Sequence, residues 1–196
     1  MMTSSATTMI GLLLFAYLIG SLSSAILLSK LMGFTDPRTD GSNNPGATNV
    51  LRIAGKKAAF FTLTGDCLKG LIPVLIAHWL VDDHLIVALA GFCAFLGHCF
   101  PLYFGFKGGK GVATAIAVSV GFQWMVGVIT IAIWLLFARV FKISSLAAIV
   151  SFISLPALIY WQEASAAITG VFALMSSILI WRHKSNIQRL LKGTES

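Results

Sequence analysis

Long apolar runs alternate with short polar, Gly-rich stretches, and the runs have membrane-spanning length. A helix needs about 20 apolar residues to cross the hydrocarbon core of a bilayer. Residues 9–31 supply them without a charge until Lys30. Residues 56–81 are long enough but carry Asp66 and Lys69 inside the run, residues 85–104 make a third span, and 146–161 and 164–181 make two more. Residues 112–138 are too long for one upright helix at ~1.5 Å per residue. They contain Gly121-Phe122-Gln123-Trp124, a turn sequence that would divide them into a hairpin of two short helices. Such helices need shielding by their neighbours, because lipid cannot satisfy free backbone groups.

Charge favours the hairpin. If 112–138 were one span, Lys107 and Lys110 would face the side opposite Arg139 and Lys142. With a hairpin they join Lys30, Arg38, Arg52, Lys56 and Lys57 and the tail cations Arg182, Lys184, Arg189 and Lys192 on one side. The other side keeps only Asp82, Asp83 and Glu163. The positive-inside rule then predicts an all-α, single-domain bundle (1–196) with seven crossings, the N-terminus outside and the C-terminus in the cytoplasm. The first run lacks a basic n-region and continues to Leu31, so it is read as a span and not as a cleaved leader.

Composition agrees. Hydrophobic residues make up 57% of the chain and charged ones 11%, against roughly 25% charged in a soluble domain. The net charge of +7 does not imply nucleic acid, because the cations sit beside spans. Cys67, Cys93 and Cys99 lie in or next to apolar runs without metal-like spacing and are expected to be reduced packing residues.

Three polar stretches gather on the basic side. In the first, DPRTDGSNNPGATNVLR (36–52), Ser42 and Asn49 offer hydrogen bonds, glycines allow close backbone approach, and Arg52 can clamp a phosphate bidentately. The same residues would also make an ordinary tight connection. The second, FKGGKGVAT (106–114), places Lys107, Gly108, Gly109, Lys110 and Gly111 directly before a helix start, a nest suited to phosphate. It is not a Walker A loop, since no strand precedes it and the spacing differs. In the third, WRHKSNIQRLL (181–191), His183 and Asn186 share a face if the last helix continues past Trp181. An amphipathic tail lying on the membrane would fit that stretch equally well.

Further polar residues have structural and functional readings side by side. Asp66 and Lys69, three apart, can pair with each other or brace a polar site, since charges within a span face the bundle interior. Ser144 and Ser145 suit helix caps, and their hydroxyls could also donate to a ligand. His78 and Asp83 satisfy the His-x4-Asp pattern of a lipid acyltransferase class, but lie at the end away from the cations.

GSNNPGATNVLR (41–52), GDCLKG (65–70), LGHCFPLYFGFKGGKGVAT (96–114) and RHKSNIQRLLKGTE (182–195) together resemble the bacterial acyl-phosphate:glycerol-3-phosphate acyltransferase family over the whole chain. The resemblance implies a multi-pass inner-membrane enzyme with its active site at the cytoplasmic face and no cofactor or metal. It would transfer a fatty acyl group from acyl phosphate to the 1-hydroxyl of glycerol 3-phosphate, giving lysophosphatidic acid and phosphate, and would act as a monomer among membrane lipids. It implies that Ser42, Arg52, Lys107, His183 and Asn186 carry the chemistry. Asn49, Gly108, Gly109, Lys110, Gly111, and Ser144 or Ser145 would bind substrate or its phosphates, and Asp66 and Lys69 would support them. An activated anhydride needs chiefly orientation and charge stabilisation, so direct attack without an acyl-enzyme is expected.

Two readings from other classes compete. An anion transporter would also carry mid-span charges and broken helices, although no internal repeat is visible. A scaffold with a patch for anionic lipid would tolerate Arg for Lys at 107 and 110.

Overall fold

Inside a bilayer the backbone finds no water, and helices satisfy its N–H and C=O groups internally. In the computed structural model the described residues, 6–195, accordingly form helices and turns with no strand among them. In chain order these are α1 (Ala6–Gly20), α2 (Ser24–Met32), α3 (Ala47–Leu80), α4 (His84–Cys99), α5 (Val112–Phe122), α6 (Trp124–Phe141), α7 (Ser144–Glu163), α8 (Ala166–Arg182) and α9 (Lys184–Leu191). A 3-10 turn, Leu102–Phe104, follows α4. Helices α3, α6 and α7, and α4 with its 3-10 extension, are each long and apolar enough to cross a membrane. The bent pairs α1–α2 and α8–α9 reach that length as units, and α5 is a shorter apolar helix.

Three boundaries differ from the sequence expectation. The first apolar run is not one helix: α1 and α2 meet at 42°. Ser21 Oγ donates to the Tyr17 carbonyl at 2.8 Å, and Ser23 is extended, a local side-chain bond that competes with helix continuation. The polar stretch 36–52 is only partly a loop, because α3 begins at Ala47 and carries Asn49 and Arg52 in its first turns. It breaks at Gly55, where φ 79 and ψ −176 describe a backbone essentially reserved for glycine. The last helix does not run straight past Trp181; α9 turns 59° from α8 at His183.

The turn expected within 112–138 is present. α5 ends at Phe122, Gln123 is extended, and α6 starts at Trp124. A Cβ on Gly127 would strike the Val120 backbone, so the two helices fold back on each other.

α4 runs through the middle of the bundle, with Val87, Ala90, Ala94 and Phe95 fully buried. Its partner α1 approaches so closely that a Cβ on Gly20 would meet the Ala94 carbonyl, and one on Gly97 the Tyr17 carbonyl. Close small-residue crossings replace the hydrophobic drive that lipid cannot supply. Gly97→Ala is therefore expected to lower stability by about 1–3 kcal/mol through overpacking, read as a lower thermal midpoint in detergent.

The two ends of the bundle differ in chemistry. At one end His84 Nδ1 sits 3.1 Å from Glu163, and the rings of His78 and His84 meet Phe122. Asp83 there accepts from the Leu85 N–H as the cap of α4, which gives the His-x4-Asp pair a structural account. At the other end Arg38, forked onto Asp36, reaches the Phe104 carbonyl, and Tyr17 Oη donates to Phe100. The basic polar stretches meet here.

Candidate active site

A cavity of about 920 Å³ opens at that basic end between α3, α5, α7 and the α8–α9 corner. Ser42, Asn49, Arg52, Asp66, Lys110, Gly111, Ser144, Ser145, His183 and Asn186 all line it. Lys107 is exposed, and it, Gly108, Gly109 and Lys69 do not line the cavity. Leu51, Phe60, Leu63, Ile116 and Trp134 form an apolar wall. Phe60 is 63% exposed, so this wall faces the lipid side of the bundle.

The first loop is shaped by Asn49, 1% exposed. Its Nδ2 donates to the carbonyls of Pro37 at 3.0 Å and Asp40 at 2.9 Å, and its Oδ1 accepts from the Ser42 N–H at 2.8 Å. Both amide hydrogens are thereby given to the loop, and Asn49 holds the Ser42 backbone in place. Gly41 has φ 61, and a Cβ there would collide with Asn49 Oδ1. The one position in this loop that most needs glycine thus lies beside Ser42.

The second loop is folded down onto α4 and α8. Gly109 N–H donates to the His98 carbonyl at 3.2 Å, while Arg182 donates to the Gly109 carbonyl at 3.1 Å and the Gly108 carbonyl at 2.6 Å. Gly111, with φ 88, starts α5, whose first residues Val112 and Ala113 line the cavity. The first N–H groups of a helix lack intrahelical acceptors and favour anions. Lys110 Nζ reaches Asn186 Oδ1. Burial pushes the Lys110 ammonium down to about 8, reinforced by Arg189, Arg182 and Arg52 and opposed by Glu195.

The third cluster contains a residue to which sequence reasoning gave no role. Glu195 accepts from Ser145 Oγ at 2.7 Å, from Asn186 Nδ2, and from Arg189 Nε at 2.6 Å. Burial alone would raise this carboxyl, but those three donors hold it below the usual carboxylate range. Its sequence signal was faint: a lone acid two residues after Gly193 in a basic tail. Ile143, and not a serine, occupies the cap position of α7. Ser145 is thereby free of capping and turned to Glu195.

His183 sits at the bend, past the end of α8, and is 3% exposed. Its Nδ1 lies 2.8 Å from the Leu179 carbonyl, a contact that requires the proton on Nδ1 and leaves Nε2 as an acceptor. Burial, then Lys110 and Arg182, push its pKa down to about 4 against the Leu179 bond and Glu195. His183 is neutral at physiological pH. It joins Asn186 in the cavity through the bend, not through a shared face of a straight helix.

Deeper in the bundle Lys69 pairs with Asp66 at 2.9 Å and also donates to the Leu22 carbonyl, freed by the α1–α2 break, at 2.8 Å. His98 Nδ1 lies 3.7 Å from Asp66. The pair is thus a brace, with Asp66 also facing the cavity. Among the described residues no group of His, Cys, Asp and Glu side chains is arranged to hold a metal ion. The three cysteines are free.

Residues 10–193 match the family model described as glycerol-3-phosphate acyltransferase. A protein of Methylococcus capsulatus with that name is 50% identical over 182 residues, 93% of this chain and 92% of its own. One of Halorhodospira halophila, named likewise, is 48% identical over 185 residues, 94% of each chain. Two crystal structures of PlsY, an integral membrane glycerol 3-phosphate acyltransferase, are similar in fold. The glycerol 3-phosphate form superposes with a TM-score of 0.90 at 37% identity, covering 96% of this chain and 94% of that one. The lysophosphatidic acid form gives 0.85 at 36% identity with the same coverage.

Proposed function

This chain belongs to the glycerol-3-phosphate acyltransferase family of integral membrane proteins, and from that premise we propose the reaction it performs. It transfers a fatty acyl group from acyl phosphate to the 1-hydroxyl of glycerol 3-phosphate, yielding lysophosphatidic acid and inorganic phosphate. The observation that carries this reading is a single cavity whose polar end gathers Ser42, Arg52, Lys110, Ser145, His183 and Asn186 and whose other wall is apolar. Two phosphate-bearing anions and one fatty chain need that combination. The PlsY crystal structures are a glycerol 3-phosphate form and a lysophosphatidic acid form, the two compounds this reaction would take as acceptor and give as product.

The transfer is a direct displacement. The glycerol oxygen attacks the carbonyl carbon, the new C–O bond forms, and the electron pair of the anhydride bond leaves with phosphate. The hydroxyl proton passes to a phosphate oxygen of the donor. A group with its pKa near 4 is a weak base at neutral pH, so His183 orients the hydroxyl through Nε2. Holding hydroxyl and carbonyl in line is worth about 7–11 kcal/mol. Lys110 and the N–H groups opening α5 stabilise the departing phosphate. Arg52, Ser42 and Ser144 bind the remaining phosphate oxygens, Ser145 being held by Glu195, while exposed Lys107 draws the anions toward the loop. Gly108, Gly109 and Gly111 allow the loop its close approach. No cofactor is required, since the donor is already activated.

The enzyme works as a monomer in the inner membrane. It has seven crossings, with the N-terminus outside and the cavity at the cytoplasmic face, where the positive-inside rule puts the basic end.

In a single-turnover quench, product is expected to form with no acylated protein. Acyl-enzyme accumulating ahead of product would contradict direct attack. His183→Ala is expected to slow turnover about 10–100-fold through lost orientation while leaving the pH profile unchanged.

The pH profile itself reports Lys110. Below about 8 it is an ammonium, and above that it is a neutral amine with no charge for an anion. Substrate phosphate is already dianionic by then, since its second pKa is about 6. kcat/KM is therefore expected to fall as pH rises through 8, and Lys110→Arg to move that limb upward.

A further inference from the structure

We infer that Arg182 is a positioning residue, which sets the phosphate-binding loop by gripping its carbonyls and never touches substrate. An arginine beside an anion site invites the opposite assignment. Its guanidinium, however, is committed elsewhere: Nη2 donates to the Gly108 carbonyl at 2.6 Å and Nε to the Gly109 carbonyl at 3.1 Å. The group also stacks over the Phe100 ring, 5.5 Å from its centroid. Arg182 does not line the cavity, whereas its neighbour His183 does.

The consequence follows from peptide geometry. In a trans peptide the C=O and the next N–H point to opposite sides. With both carbonyls turned to Arg182, the following N–H groups point away from it. The first, Gly109 N–H, is taken by the His98 carbonyl at 3.2 Å. The second, Lys110 N–H, is thereby aimed to the side opposite the guanidinium, on the residue whose ammonium lines the cavity. A charged donor on the carbonyl also polarises the amide and makes its N–H a stronger donor. The glycines are required by the docking: a Cβ at 108 would strike the His98 carbonyl, and one at 109 the His98 ring. Arg182 therefore acts through Lys110. It closes the loop against the α8–α9 corner, and the Lys110–Asn186 bond ties the same two pieces a second time.

This inference rests on the reading of the cavity as a phosphate site, and the test separates the two. The wild-type protein, Arg182→Lys and Arg182→Ala are assayed for acyl transfer, and inorganic phosphate is titrated as inhibitor. Its inhibition constant does not depend on the fraction of molecules that folded. Arg182→Ala is expected to weaken phosphate inhibition about tenfold and to be partly restored by added methylguanidinium. Arg182→Lys, which offers one compact charge in place of a fork, should fall between the two. If Arg182→Ala does not fold, Arg182→Lys alone carries the test. An inhibition constant equal to wild type in the folded variants overturns the inference, even where turnover drops. No inhibition of the wild-type enzyme by phosphate would instead overturn the phosphate reading of the cavity.

Discussion

Glu195→Ala is expected to lower kcat/KM by about 10²-fold or more and to lower thermal stability as well. The carboxylate side chain is only 7% exposed and gathers Ser145, Asn186 and Arg189 from α7 and α9. Removing it leaves the buried Ser145 and Asn186 donors without this acceptor, at about 1–3 kcal/mol for each such group. It also releases the Asn186 amide, whose oxygen receives Lys110. Glu195→Gln keeps an oxygen but turns an N–H₂ toward donors, so it should fall between wild type and Ala. The folded carboxyl titrates below its ordinary value. Its contribution to stability is therefore present above the usual carboxylate range and lost as pH falls through the depressed value. Steady-state kinetics and thermal unfolding in detergent, run side by side, check both halves.

Lys110→Ala is expected to reduce kcat/KM by about 10²–10³-fold, the usual loss for one preorganised donor at developing charge, with little change in the thermal midpoint. Its folding cost is small because burial already disfavours the ammonium, whose pKa is pushed down to about 8. A side chain held at such a disadvantage is spent on binding. On the proposed reaction Lys110 carries chemistry, whereas Glu195 holds its neighbours. Lys107→Ala, at an exposed position outside the cavity, should cost far less and mainly at low ionic strength.

The large features were legible because membrane physics writes them plainly. Run length gave the helices, and the hairpin turn at Gln123 followed from a run too long for one crossing. The Asp66–Lys69 pair followed from their helical spacing. The break after Gly20 was not read, because Gly20-Ser21-Leu22-Ser23-Ser24 carries no charge and small uncharged residues are tolerated within a span; only the Lys69 bond to Leu22 shows its use. Nor was the helical start at Ala47, hidden in a Gly- and Asn-rich stretch. Within the site, residue types suggested Arg52 and Lys110 and the family resemblance pointed to His183 and Asn186, and the fold brings all four to one cavity. They did not separate Lys110 from Lys107, because both flank the same two glycines and only the loop's docking onto Arg182 and His98 turns one inward. Asn49 lines the cavity, and both its amide hydrogens go to loop carbonyls, partners that no local pattern showed. Glu195 and Arg182 act through partners far along the chain, which no local pattern encodes.

The central claim, that this cavity joins acyl phosphate to glycerol 3-phosphate, is tested most directly by giving the purified protein palmitoyl phosphate and glycerol 3-phosphate in detergent. Phosphate and lysophosphatidic acid are then counted together. The account predicts that the two appear in equal amounts and that both cease in Lys110→Ala. Lysophosphatidic acid formed from an acyl thioester but not from acyl phosphate, or phosphate released without it, would contradict the account.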